Sequence, residues 1–301
     1  MILVVGSTGE MGRETVRQFL AAGIPIRAMT RTPEKAQDLL RLGAEVVQGD
    51  LIDRPSLQKA CKGMKGVVSA AHQLMGGGMY TSKAVDDTGH RALIDEARAA
   101  GVEHFIYAST LGASPNAPVA FNRTKFAIEQ YLTESGMHYT IIRGPAFMEW
   151  HAHNLLGKDI LENGKATIFG KGENPINFIS ARDMAKFAVV GITDPRACNQ
   201  TINAIGPDNV SKNEVAEMYQ RISGRPAKIS HVPPLMLKIM PAIMRFAKPE
   251  LVQVIQLSYL MDTEDQVMDP RETLEKYPLR LTRLEEFIHE KVAEYNTGKA
   301  G

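Results

Sequence analysis

The first dozen residues constrain the fold more than any other stretch. Ile2–Val5 is a short apolar run rich in β-branched residues, and it ends in Gly6-Ser7-Thr8-Gly9-Glu10-Met11-Gly12. Val16, Phe19 and Leu20 follow at helical spacing. A strand that turns through three glycines into a helix opens a βαβ unit. The N-terminus of that helix presents unpaired N–H groups and a partial positive charge, and a pyrophosphate satisfies both. Glycines there let the chain turn tightly, approach phosphates, and pack helix on strand. Residues Gly6, Ser7, Thr8, Gly9, Glu10, Met11 and Gly12 are therefore read as a dinucleotide-binding loop.

The rhythm of strand and helix continues. Ile24–Met29, Ala44–Gln48, Gly66–Ala71, His104–Ser109 and Tyr139–Arg143 read as strands. Helical patterns over Pro33–Leu42, Ser56–Cys61, Ala84–Ala100 and Thr124–Ser135 separate them. Such alternation implies a Rossmann-like, doubly wound parallel sheet of the α/β class. After Pro145 the rhythm breaks. Gly157–Gly172 is polar and glycine-rich, Asn177–Ile179 feeds a helix over Ala181–Ile192, and Thr201–Ala204 returns to the sheet. Ser211 with Glu214 forms a capping box, and the chain from Lys228 onward reads as mostly helical. A core stops growing near 250–300 residues, so two domains are expected. Residues 1–145 with about 177–205 are expected to form the Rossmann-like dinucleotide-binding domain; 146–176 with about 206–301 a smaller, mostly helical substrate or partner lobe. The substrate cleft is expected between them.

Charge is nearly balanced, 35 Lys+Arg against 34 Asp+Glu. That, with no basic run, argues against nucleic acid as a partner. Cys61 and Cys198 form no metal or redox spacing, and reduced thiols suit the cytoplasm. The apolar start stops at Gly6, too soon for a signal peptide, and no stretch is long enough for a transmembrane segment.

The end of the second strand selects between dinucleotides. An acidic residue there would accept from a ribose 2′-hydroxyl and repel a 2′-phosphate. The chain has Thr30-Arg31 instead, with Thr32 and Lys35 following. A guanidinium makes forked contacts with phosphate, so NADP(H) is the expected cofactor. Ala70, Ala71 and His72 end the fourth strand at the sheet edge where a cofactor lies; small side chains let the backbone approach it.

The GxxGxxG spacing resembles the loop of extended and atypical short-chain dehydrogenase/reductases. Together with Arg31, Asn122-Arg123-Thr124-Lys125, Ile141–Pro145 and Asn177–Asp183, it resembles their NmrA-like branch over roughly residues 1–205. That resemblance implies that Asp50 and Leu51 contact adenine, although a turn or capping role for Asp50 reads equally well. It also implies that Pro145 and Phe147 border the cofactor, that Lys125 binds the nicotinamide ribose, and that the Ala84–Ala100 helix could support a homodimer. Members usually carry Tyr-x-x-x-Lys, in which the tyrosine protonates the substrate as hydride arrives. Here Phe121 stands in place of the tyrosine, with Lys125 retained. The branch includes reductases that work without the tyrosine and regulators that bind NADP without turnover.

Two readings follow. One is an NADP(H)-dependent reductase of a small hydrophobic carbonyl, quinone or enone, with Lys125 and Ser109 as catalytic candidates. The other is a non-catalytic NADP(H)-binding redox sensor, regulator or assembly factor with a protein partner. Tyr107, expected to be packed, and Tyr80, expected to reach the nicotinamide, are weaker proton donors. Glu149, His151 and His153 offer too few ligands for a metal and read as lining of the substrate mouth. Met236, Met240 and Met244, interleaved with Leu235, Ile239, Ile243 and Phe246, read as core of the small lobe rather than as a surface for a membrane or partner.

Overall fold

The computed structural model describes residues 1–298 and divides into two compact units, Met1–Gly144 with Arg182–Ala204, and Pro145–Ala181 with the described residues from Ile205 onward. In the first unit β1 (Ile2–Val5) leads to α1 (Glu10–Ala21), β2 (Ile26–Thr30), α2 (Gln37–Arg41), β3 (Glu45–Gln48), α3 (Arg54–Cys61) and β4 (Gly66–Ser69). Then come α4 (His90–Ala99), β5 (His104–Thr110), α5 (Ala120–Thr133) and β6 (His138–Gly144). The seven-stranded sheet, which includes β10 (Gln200–Asn203), has the order β10-β6-β5-β4-β1-β2-β3 and is parallel throughout. The return of Thr201 to the sheet is realised: β10 (Gln200–Asn203) pairs with β6.

Both faces of this sheet are covered, because side chains alternate along a strand. Leu3, Val5, Val67, Phe105, Tyr107 and Ile141 pack with Leu57 of α3, Leu93 of α4, and Ile128 and Leu132 of α5. The opposite parity meets α7 (Ala181–Thr193): a methyl at Gly191 would stand 2.8 Å from the Ile106 side chain, and one at Gly66 3.2 Å from Ile192. These apolar contacts make the sheet a rigid platform whose strand ends carry the loops.

Two elements differ from their sequence patterns. The segment expected as one helix from Ala84 opens with a π-helical stretch, Lys83–Gly89, before α4. In addition, α5 begins at Ala120 rather than Thr124, so Phe121 and Lys125 lie in one helix, a turn apart. Cys61 is buried, but Cys198 keeps partial access to solvent.

The second unit holds β7 (Ala146–Phe147), α6 (Lys158–Asn163), β8 (Lys165–Phe169), β9 (Ile176–Ile179), β11 (Asp208–Val210), α8 (Lys212–Ser223) and β12 (Lys228–Val232). After them come α9 (Pro234–Ala247), α10 (Val252–Thr263), α11 (Arg271–Lys276) and α12 (Leu284–Gly298). The glycine-rich stretch around 157–172 is thus ordered, with β8 pairing in parallel to β12; Lys228 begins a strand, not a helix. Ser211 and Glu214 form the expected capping box, each side chain meeting the other's backbone N–H. Leu156, Ile160, Phe178, Val215, Tyr219 and Phe287 build the core.

The methionine-bearing helix departs from its sequence reading. Only Leu237 of α9 is buried. Leu235, Met236, Ile239, Ile243 and Phe246 are exposed, so this face is not core. The period-3.6 pattern was correct, but one apolar stripe packs inward and a second faces water.

Candidate cofactor and active site

The glycine loop has the geometry a phosphate group requires. Gly6 adopts a left-handed φ of +79°, and a methyl there would stand 2.9 Å from the backbone of Ala71. A methyl at Gly12 would stand 2.1 Å from the Gly6 carbonyl oxygen, which no relaxation of a side chain could relieve. Gly9 is the extended N-cap of α1 and supplies no side-chain cap. Together these residues leave the first N–H groups of α1 open to an anion, so they fit a dinucleotide. Not every loop residue reaches outward. Ser7 is buried and its hydroxyl donates to the Met29 carbonyl at 2.9 Å; Met11 is core. Thr8 and Glu10 remain on the accessible side. Arg13 braces the turn, donating from Nε to the Thr8 carbonyl and pairing with Asp38.

Arg31, at the end of β2, is exposed and stacks its guanidinium on the Tyr80 ring, 4.4 Å from the centroid. The Tyr80 hydroxyl donates to Asp50 Oδ2 at 2.8 Å, and Asp50 Oδ1 accepts from the Ile52 N–H. Tyr80 therefore stands at the ends of β2 and β3, because its hydroxyl finds its acceptor there. Asp50 acts as a turn residue, Leu51 is core, and Thr30 is buried, its hydroxyl 3.4 Å from that of Thr8.

The other end of the site lies at β4 and β5. Lys125 is 4% exposed, donates to the Ala108 carbonyl at 2.9 Å, and sits 4.7 Å from the Tyr107 ring centroid and 5.5 Å from that of Phe121. Loss of water pushes its ammonium down to about 8, a fall that Asp86 and Glu129 partly oppose. Phe121 occupies the position between Lys125 and His72, whose ring meets it edge-on at 6.1 Å. His72 reaches solvent along one side, yet atoms packed about its ring and the Lys125 charge still hold its imidazole below the ordinary value. Tyr107 is buried as expected from its parity, and its hydroxyl has no hydrogen-bond partner among the described residues. Burial raises that phenol well above its usual range.

Ser109 is not free to act alone. Its hydroxyl donates to Glu129, which is buried and held by a two-point contact from Arg143. Asp86 accepts from the Gln73 N–H and the Ser82 hydroxyl. His90 is hydrogen-bonded to Ser69 and to the Val85 carbonyl, and burial lowers it to about 4, so it is neutral at pH 7. The sequence reading missed Asp86, His90, Glu129 and Arg143 as site components. Their signal was present: Lys125 and Glu129, and Asp86 and His90, stand four residues apart, which places each pair on one helix face.

In the second unit Pro145 precedes β7 and Phe147 ends it. Glu149 accepts from the Ala181 N–H with both oxygens, and His153 bonds the Tyr219 hydroxyl at 3.1 Å. Burial lowers His151 to about 3. These three side chains serve separate packing and capping roles; among the described residues no cluster suited to a metal is formed.

A parallel seven-stranded sheet with a glycine turn at the end of β1 and a buried lysine beside β5 defines a Rossmann-type, nucleotide-binding class of protein. The chain belongs to the NmrA-like family, whose model matches residues 1–288. It is 35% identical over 231 residues to an NAD(P)H azoreductase of Xenophilus azovorans, covering 76% of each chain. It is 30% identical to the photosystem II assembly factor Ycf39 of Synechocystis, covering 81% of this chain and 74% of that one. Its fold is that of an NADPH-dependent quinone oxidoreductase of Escherichia coli solved with NADPH, with a TM-score of 0.76 and 21% identity over 96% of this chain and 99% of that one. No helix among the described residues is long and apolar enough to cross a membrane.

Proposed function

We propose that the chain is an NADP(H)-dependent reductase of a small hydrophobic electrophile such as a carbonyl, quinone or enone. The observation that carries this reading is the buried Lys125 ammonium, lowered to about 8, at the β5 end of the sheet edge that begins with the glycine turn. A lysine is ordinarily exposed or paired, so one desolvated beside two aromatic rings supports a chemical role. In this reading residues 1–145 with about 177–205 bind the cofactor, and the remainder binds substrate. The backbone of Gly9–Gly12 holds the pyrophosphate. Arg31 holds the 2′-phosphate, leaving the Tyr80 ring or stacking with it. Lys125 fixes the ribose beside the nicotinamide.

Reduced nicotinamide supplies a hydride when bound. Substrate reduction also needs a proton, which Lys125 donates and regains from water; Phe121 has none to give. Ser109, tied to Glu129 and Arg143, positions the end of β5 and offers its hydroxyl oxygen as an acceptor. Relatives named as an azoreductase and a quinone oxidoreductase support a substrate that accepts hydride at a conjugated centre.

A second reading, an NADP(H)-binding assembly factor without turnover, is favoured by one observation: the relative named as an assembly factor. The two separate in one experiment. NADPH oxidation is followed at the absorbance of the reduced nicotinamide across quinones, enones and azo dyes, with NADPH binding measured in parallel. Steady turnover with any of these supports the reductase. Tight binding with no turnover on the whole panel overturns it.

A further inference from the structure

Of the eleven exposed large hydrophobic side chains among the described residues, five stand on one stripe of α9. At about 100° per residue, Leu235, Phe246, Ile239, Ile243 and Met236 fall within about one quarter to one third of the helix circumference. These five side chains are 67%, 80%, 52%, 61% and 51% exposed. The opposite arc, with Leu237, Met240 and Met244, is buried or half-buried. The stripe is therefore additional to the apolar face that docks the helix.

Charge is arranged as deliberately as apolarity. Lys238 and Arg245 lie together on one flank of the stripe, and Lys248 follows the helix end. None of the three forms an ion pair with an acidic group among the described residues. From residue 218 to residue 249 the chain contains no Asp or Glu at all. The Arg245 guanidinium lies 4.6 Å from the Phe246 ring centroid, which keeps a cation at the edge of the apolar surface. An apolar face bordered by cations, on a helix lying along the surface, matches the boundary of an anionic bilayer: acyl chains below, phosphate groups at the rim.

We propose that α9 docks in the plane of an anionic lipid membrane, burying Leu235, Ile239, Ile243 and Phe246 among the acyl chains while Lys238, Arg245 and Lys248 meet headgroup phosphates. A second copy of the chain fits this face less well. Pairing α9 with itself adds like charge to like charge, and residues 218–249 hold no acidic residue to offset it. This inference does not depend on the reductase reading. It gives a peripheral attachment, not a span.

The test is vesicle co-flotation of the full chain with phosphatidylcholine alone and with phosphatidylcholine containing phosphatidylglycerol. The wild type is expected to float with the anionic vesicles at least about tenfold more than with the neutral ones, and to be released as salt rises. Ile239→Glu with Phe246→Glu is expected to reduce flotation about tenfold or more. Lys238→Glu with Arg245→Glu should remove the lipid-charge dependence. Circular dichroism and NADPH affinity confirm that each variant is folded. Absence of flotation with anionic vesicles overturns the proposal, as does equal flotation of the Ile239→Glu/Phe246→Glu variant. A wild-type dimer in sedimentation equilibrium that this variant abolishes, with no vesicle binding, overturns it in favour of a second copy.

Discussion

Two regions of this molecule break the usual partition of residues between core and solvent, in opposite directions. At the end of β5 a lysine is 4% exposed; on α9 a phenylalanine is 80% exposed. Both placements cost free energy, since a charge loses water in the first and apolar area meets water in the second. Their surroundings differ instructively. The buried site is over-determined: Lys125, Asp86 and Glu129 face one another's charge, and every carboxylate there has its own donors. The exposed stripe has no such support from the chain itself. A costly feature satisfied internally points to chemistry at that position, whereas one left unsatisfied points outward, to something the chain meets.

The sharpest way to break this comparison is to remove the buried charge. Lys125→Met should lower reductase turnover by about 100-fold or more, while the fold survives because Asp86 and Glu129 keep their other donors. Steady-state rates with NADPH and an active quinone or enone would measure it; an unchanged rate would show the lysine to be mere packing. Next in size is Arg31→Asp. It should weaken NADPH binding by about 10–100-fold and leave NADH binding much closer to wild type. Equal loss for both, by isothermal titration, would remove the 2′-phosphate from the assignment.

A pH profile sharpens the same contrast. If Lys125 donates the proton, turnover should hold below about 8 and fall by tenfold per unit above it, and Lys125→Met should lose that inflection. Stability moves the other way. The folded lysine loses its proton near 8, the unfolded one near its ordinary 10.5, so between those values the unfolded state binds more protons. The Lys125 contribution to stability therefore rises with pH across that window and is smallest below it. Denaturant melts of wild type against Lys125→Met at pH 7 and pH 10 would read the difference.

The smallest effect expected is that of Phe121→Tyr. The ring already lies 5.5 Å from the Lys125 ammonium, so a hydroxyl there would gain a nearby cation to ease its deprotonation. Carbonyl reduction should rise a few-fold. No change would show that Lys125 and water already suffice.

Much of this is legible in the amino-acid sequence. The Gly6–Gly12 loop and the strand–helix rhythm specified a parallel sheet, because a pyrophosphate turn and a period switch between 2 and 3.6 each leave a local signature. Arg31 at the end of β2 is likewise a local fact, and Phe121 four residues before Lys125 gains its meaning from the family resemblance. Tertiary structure decided what spacing cannot: which neighbours a residue meets across the fold. Tyr80 went to Asp50 and Arg31 because a long loop brought its hydroxyl to an acceptor thirty residues back in sequence. Ser109 went to Glu129 and Arg143, from three different elements. The α9 pattern announced an apolar helix, but periodicity cannot tell which of two apolar stripes is covered; that depends on what packs against it, and here only one side is.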